Sequence, residues 1–152
     1  MLDAALAQWF KSLPGRRITR LVFARFVADN RAVSLDEVCF ELDGLPAGKI
    51  DCAADGESLR YSPLGCAEVD VGEHGARKLF DRIDSVDMGK IDGELITGVV
   101  LILDNDVFIG AGMKFSNGSE LMILNCGDNL SAVLDSDHPM LREPTVTRRA
   151  FA

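Results

Sequence analysis

The apolar positions of this chain fall into short runs separated by turn residues, and most of the runs have the length and composition of strands. The first stretch differs. Over residues 2–12, Leu2, Leu6, Trp9 and Phe10, with Leu13 just beyond, lie near one helical face, and Leu13-Pro14-Gly15 stops the element, so a short amphipathic helix is predicted there. Arg17–Val27 fits either period: Ile18, Leu21, Val22 and Phe26 suit a helix, Leu21-Val22-Phe23 a strand. Val33–Leu42, Lys49–Ala53 and Ser58–Tyr61 read as strands with turns at Asp43–Gly48 and Asp55-Gly56 between them. Later, Ile96–Leu103, Val107–Phe115, Glu120–Asn125 and Leu130–Leu134 form a cleaner series. Asp104-Asn105-Asp106, Ser116-Asn117-Gly118-Ser119 and Cys126-Gly127-Asp128 are its turns, and Asn-Gly between two apolar runs is a strong hairpin signal. Gly110 and Gly112 inside a strand mark a bulge or a close backbone approach.

The two series share a pattern. Gly15-Arg16-Arg17-Ile18-Thr19 lines up without a gap on Gly93-Glu94-Leu95-Ile96-Thr97, and each is followed by an apolar run, a turn and further runs. The likeness decides Arg17–Val27 in favour of a strand, because its counterpart Ile96–Leu103 is rich in β-branched residues. Between the series, Gly72–Val86 places Ala76, Leu79, Phe80 and Ile83 on one helical stripe and is predicted as a second helix. The expected fold is therefore α+β: two similar antiparallel β-meander units, an internal duplication, each preceded by a short helix. One domain over residues 1–140 is expected, with pseudo-two-fold halves 1–70 and 71–140, and a loose tail over 141–152.

Composition narrows the class. With 152 residues and 47% hydrophobic content the chain is long enough to bury a core without staples. No apolar run approaches the roughly 18 residues of a membrane span. Asp3 stands where a signal peptide carries basic residues, and no long apolar stretch precedes a cleavage site, so a cytoplasmic protein is expected. Cys39, Cys52, Cys66 and Cys126 are irregularly spaced with no Cys-x-x-Cys pair. In a reducing compartment they read as free thiols, with Cys39, Cys52 and Cys126 largely buried in strands, and a metal site or a disulfide is the alternative.

Charge is unevenly placed. Residues 1–31 carry six basic and two acidic side chains, a net of +4; residues 32–141 carry a net of −14; residues 142–152 carry +2. The acidic middle repels phosphate backbones, which argues against nucleic acid as a partner, and attracts a basic protein surface.

Candidate chemistry is sparse. Asp135-Ser136-Asp137-His138, near Glu143, has the residue types for a divalent metal or an acid/base set, but its short hydrophilic run ahead of Pro139 reads as a solvated loop. Asp104-Asn105-Asp106 opens like a calcium loop but lacks the later Gly and Glu, and reads as a hairpin turn. No catalytic, metal or cofactor residues are assigned. Trp9 and Phe10 read as core anchors.

The stretch Gly112–Leu130 combines an apolar strand, Phe115-x-Asn117-Gly118-x-x-Leu121, a second apolar strand and Gly127-Asp128-x-Leu130. It resembles the C-terminal hairpins of small bacterial immunity or antitoxin proteins of polymorphic and contact-dependent toxin systems. The resemblance spans about 20 residues and implies a small, acidic, cytoplasmic protein that binds one basic toxin domain. The leading expectation is thus an immunity-type inhibitor that occludes the active or substrate-binding surface of a basic toxin or nuclease domain. Turn and loop acids Asp104, Asp106, Asp128, Asp135 and Asp137 are its expected contacts. The alternative is a small enzyme or small-ligand-binding domain with a pocket at the junction of the halves, gathering His138, Asp135 and Asp137 or the thiols. A homodimer with no ligand is a third reading.

Overall fold

A computed structural model describes residues 2–70, 72–135 and 138–151. The chain begins with α1 (Ala4–Ser12). Asp3 caps it, its Oδ1 accepting from the Leu6 amide at 2.9 Å, which satisfies one of the orphan donors of the first turn. Leu6, Trp9 and Phe10 form its buried face. Eleven strands follow: β1 (Ile18–Ala28), β2 (Arg31–Leu42), β3 (Gly48–Cys52), β4 (Leu59–Ser62), β5 (Val69–Asp70), β6 (Ala76–Phe80), β7 (Ile96–Asp104), β8 (Val107–Phe115), β9 (Glu120–Asn125), β10 (Leu130–Leu134) and β11 (Val146–Phe151).

All strands belong to one antiparallel sheet in the order β11-β7-β8-β9-β10-β2-β1-β6-β5, with β3 on β2 and β4 on β3 as a branch. The sheet curls until the starts of β1 and β7 meet. The Gly15 amide donates to the Ile96 carbonyl and the Ile96 amide to the Arg16 carbonyl, both at 2.8 Å, and Arg17 bridges Leu95 antiparallel. Arg17 and Leu95 hold equivalent positions of the two Gly-x-x-Ile-Thr segments, so the repeated motif crosses itself at this seam. Both strands also bulge at the motif threonine. Thr19 Oγ1 donates to the Glu41 carbonyl at 3.0 Å and Thr97 Oγ1 to the Lys114 carbonyl at 3.3 Å. The hydroxyl thus holds the kink in each.

The likeness does not extend to two helix-preceded units, and that expectation is overturned. Among the described residues α1 is the one α-helix. Residues predicted as the second helix form a 3₁₀ turn at Gly72–His74, strand β6 and an irregular return. Ala76, Leu79 and Phe80 have helical spacing, but β1 offers them a free edge. β6 pairs along it from Val27↔Ala76 to Phe23↔Phe80, satisfying backbone groups while Phe80 packs against the core. Gly75 enters the strand at φ +123° with the Val27 carbonyl against its Cα, where a Cβ would collide. The expected loose tail is likewise ordered in part: β11 pairs with β7 from Val146↔Asp104 to Phe151↔Val99.

The barrel interior is filled by α1 and the inner faces of the strands. Phe10, Phe23, Phe40, Leu6 and Leu13 are among the fully buried side chains. Phe10 meets Phe108 and Phe151 edge-on at 6.4 and 5.7 Å, and Trp9 stacks on Tyr61 at 5.0 Å. Trp9 and Phe10 are therefore core anchors. A second cluster of Val100, Ile102, Ile109, Met122, Leu124 and Val133 lies outside the sheet, covered by Met140 and Leu141 from a 3₁₀ turn at Pro139–Arg142. Gly110 makes the close approach its position predicts: a Cβ there would stand 2.7 Å from the Ile123 carbonyl oxygen.

The cysteine expectation is corrected. Cys39, on the outer face of β2, is bonded to Cys66 in the segment after β4. Cys52 and Cys126 are free and only partly buried. No described helix is long and apolar enough to cross a membrane.

Candidate functional site

Three hairpin turns converge at one end of the barrel, and their chemistry is one-sided. In the β3–β4 turn, Asp55 Oδ1 accepts from the amides of Glu57 and Ser58, both at 2.8 Å, and its Oδ2 accepts from the Ser58 hydroxyl at 2.6 Å. These bonds, the hydroxyl first, hold the carboxyl down at about 2, so it is charged at any physiological pH. In the β7–β8 turn, Asn105 and Asp106 take the left-handed conformation, as does Asp128 in the β9–β10 turn. Asn and Asp tolerate that conformation best after Gly.

Asn125 joins two of these turns. Its side-chain amide donates to the Ser58 carbonyl at 2.9 Å and its Oδ1 accepts from the Gly127 amide at 2.9 Å. Gly56 lies beside Asp128, with space for a Cβ at ordinary contact distance, 3.4 Å, from its Oδ1. A crevice of about 330 Å³ opens among Glu57, Asp104, Asn105, Asn125 and Gly127. Asp104 lines this crevice, and its Oδ1 is buried with no hydrogen-bond partner among the described residues. A buried acceptor left orphaned costs about 1–3 kcal/mol. The three turns together carry Asp55, Glu57, Asp104, Asp106 and Asp128, and no lysine or arginine.

Next to this crevice the sheet forks. β2 takes β10 at Leu35 and β3 from Glu37 onward. A second crevice of about 300 Å³, lined by Asp36, Glu37, Asp51, Arg60, Arg77 and Asp128 among others, lies at the fork. Arg60 grips Asp51 with two bonds at 2.9 and 2.7 Å. Lys49 reaches Glu37 at 2.8 Å, and Arg77 Nε stands 3.4 Å from Asp36. Asp128 is the lining acid without such a cation among the described residues. Burial first, then Asp51, Asp128 and Asp36, push the Cys52 thiol up to about 11, so it stays protonated and unreactive. An unfolded Cys52 would ionise near 9.0. Its contribution to stability is therefore complete below pH 9 and lost as pH rises toward 11. Urea midpoints at pH 8 and 10.5 should show this fall, and a Cys52→Ala variant should show less of it.

The five expected contact acids do not form one patch. Asp104, Asp106 and Asp128 share the acidic end. Asp135 lies elsewhere: its Oδ1 accepts from the Glu120 amide at 3.0 Å and Lys90 stands 3.8 Å from Oδ2. It lines a different hollow with Lys114, Glu120 and Arg148. The reason is topological, since Asp135 leaves the far end of β10 from Asp128. Asp137 lies outside the described residues. Asp55, Glu57, Asp36, Glu37 and Asp51 were not singled out from sequence. The turn around Gly56 was legible, but which turns it would meet was not.

His138 stands apart from the acids Asp135 and Glu143 in its contacts. Its Nδ1 accepts from the Met140 amide at 3.1 Å. That fixes the proton of the neutral ring on Nε2, which faces Cys126 Sγ at 3.9 Å. The ring thus presents a donor, not a base, to the thiol. No cluster of metal-ligating side chains occurs among the described residues. No family model, curated protein or solved structure matches the chain.

Proposed function

We propose that the chain is an immunity-type inhibitor whose acidic end docks on the cationic substrate-binding surface of a toxin or nuclease domain and occludes it. The observation that carries this reading is the convergence of three turns bearing five carboxylates and no basic side chain, of which Glu57 and Asp104 line one crevice and Asp128 lines the other. Lysines and arginines that hold a phosphate-bearing substrate would enter these crevices and pair with Asp104, Asp106 and Asp128.

Location is part of the same proposal. A cytoplasmic inhibitor would meet the toxin where it acts, and in that reducing compartment Cys39 and Cys66 would stand as thiols. Alkylation and mass spectrometry of protein taken directly from cells would report which form exists.

The reading is tested by removing charge without disturbing the turns. Asp106 and Asp128 sit at positive φ, so asparagine, which tolerates that conformation, is the right replacement and lysine is not. The triple change Asp104→Asn, Asp106→Asn and Asp128→Asn should slow association with the toxin domain about tenfold or more at low salt, while the melting temperature stays within a few degrees. The same triple change leaving association untouched would remove the acidic end from the account.

A further inference from the structure

β10 and β2 are neighbours in the sheet, yet they pair at one position only, Leu35↔Leu130. Continued antiparallel register would set Val33 against Ala132 and Arg31 against Leu134. Those pairs do not form. Arg31–Ser34 are bonded on the β1 side alone, and Ser131–Leu134 on the β9 side alone. Between the splayed strands is a wedge of about 390 Å³. Its far side is closed by the return after β6, where the Ser85 hydroxyl donates to the Ala132 carbonyl at 2.6 Å. A side-chain hydroxyl thus serves β10 where a neighbouring strand would. On the other wall Val33 is 64% exposed, and the free edge of β2 is a ready template for another strand.

The wedge also holds an unanswered positive charge. Arg25 lines it, and its Nε is buried with no hydrogen-bond partner. The guanidinium lies 5.7 Å from the centre of the Phe80 ring, which fixes its direction without neutralising it. Lys78 is directly opposite Arg25 across β1–β6, and like charges so placed repel. Among the described residues neither Arg25 nor Lys78 has a carboxylate partner, and Asp84 is the one acid lining the wedge. Among the described residues Arg25 Nε is the one buried basic nitrogen without a hydrogen-bond partner.

We infer that the wedge is a docking slot for an extended segment of a partner polypeptide, which adds a strand to the free edge of β2 and sets an acidic side chain against Arg25. Main-chain bonds to Arg31–Ser34 supply affinity, Val33 supplies an apolar contact, and Arg25 selects the carboxylate. The charge preference is opposite to that of the acidic end, so the two surfaces read different features of what they bind, and this inference stands without the toxin reading.

The probe is the blocked hexapeptide acetyl-Thr-Val-Glu-Val-Thr-Val-amide, titrated into isotope-labelled full-length protein. In the free protein, amides of Arg31–Ser34 should exchange hydrogen faster than those of Val38–Phe40. Adding the peptide should shift and slow the Arg31–Ser34 signals, while a peptide with lysine in place of glutamate binds at least about tenfold more weakly, the loss of roughly one charge-assisted bond. Arg25→Met, which keeps the stem on Phe80, should weaken the glutamate peptide by a similar factor. Should that variant fold poorly, Arg25→Lys with the peptide exchange in the unaltered protein carries the test. Shifts confined to the other open edges, β4 or β11, would overturn the inference. So would affinity indifferent to both the glutamate and Arg25.

Discussion

Truncating Phe10 to alanine is expected to cost about 3–5 kcal/mol of folding stability, among the largest effects of a single change on this chain. Phe10 is fully buried and sits where α1 plugs the barrel, edge-on to Phe108 of β8 and Phe151 of β11. Its removal strips two aromatic contacts and leaves a void that the surrounding strands, held by their ladders, cannot close. Equilibrium unfolding in urea measures it: the midpoint should fall with the slope unchanged. A cost below about 1 kcal/mol would mean that α1 does not occupy the interior. Phe151→Ala, at the chain's end, should destabilise measurably as well, which a loose tail would not.

The second large effect is that of the Cys39–Cys66 link. It closes a loop of 27 residues, and the chain-entropy relation for such a loop gives about 3.5 kcal/mol. The segment it tethers is short of other anchors: β5 has two exposed residues and Leu64 is 67% exposed. Reduction, or Cys66→Ser, should lower the melting temperature by roughly 7–14 °C. Segment 63–70 should open before the barrel, as faster hydrogen exchange confined to those amides. Equal melting with and without reductant would show that the link is absent in solution.

What was legible in the sequence was local. Leu2, Leu6, Trp9 and Phe10 ahead of Leu13-Pro14-Gly15 describe α1, and Asn117-Gly118 describes the β8–β9 hairpin, because each needs only its own neighbours. The motif beginning at Gly15 and Gly93 pointed to two similar strand starts, and both carry the same threonine bulge. Where a distant partner decides, the pattern misleads. Ala76, Leu79, Phe80 and Ile83 have helical spacing but were taken by the open edge of β1. β11 has exposed Thr147, Arg148 and Arg149 and no alternation to announce it, since an edge strand of which only Phe151 packs on the core has little to bury. Cys39 and Cys66 meet because β2 and the segment after β4 cross in space, which spacing cannot reveal. The acidic end follows the same rule: each turn was visible, their convergence was not, and Asp135 fell at the opposite end of its strand from Asp128.

The claim that most needs a direct measurement is that the acidic end steers a basic partner. The measurement is a salt series of association rates, with the chain titrated against a candidate basic toxin or nuclease domain. Screening shortens from about 10 Å at 0.1 M to about 3 Å at 1 M ionic strength. Steered association should therefore slow steeply over that range, and the Asp104→Asn, Asp106→Asn, Asp128→Asn protein should start slower and show a shallower dependence. Rates that hold level from low to high salt, and that do not separate the triple variant from the parent, would contradict the account.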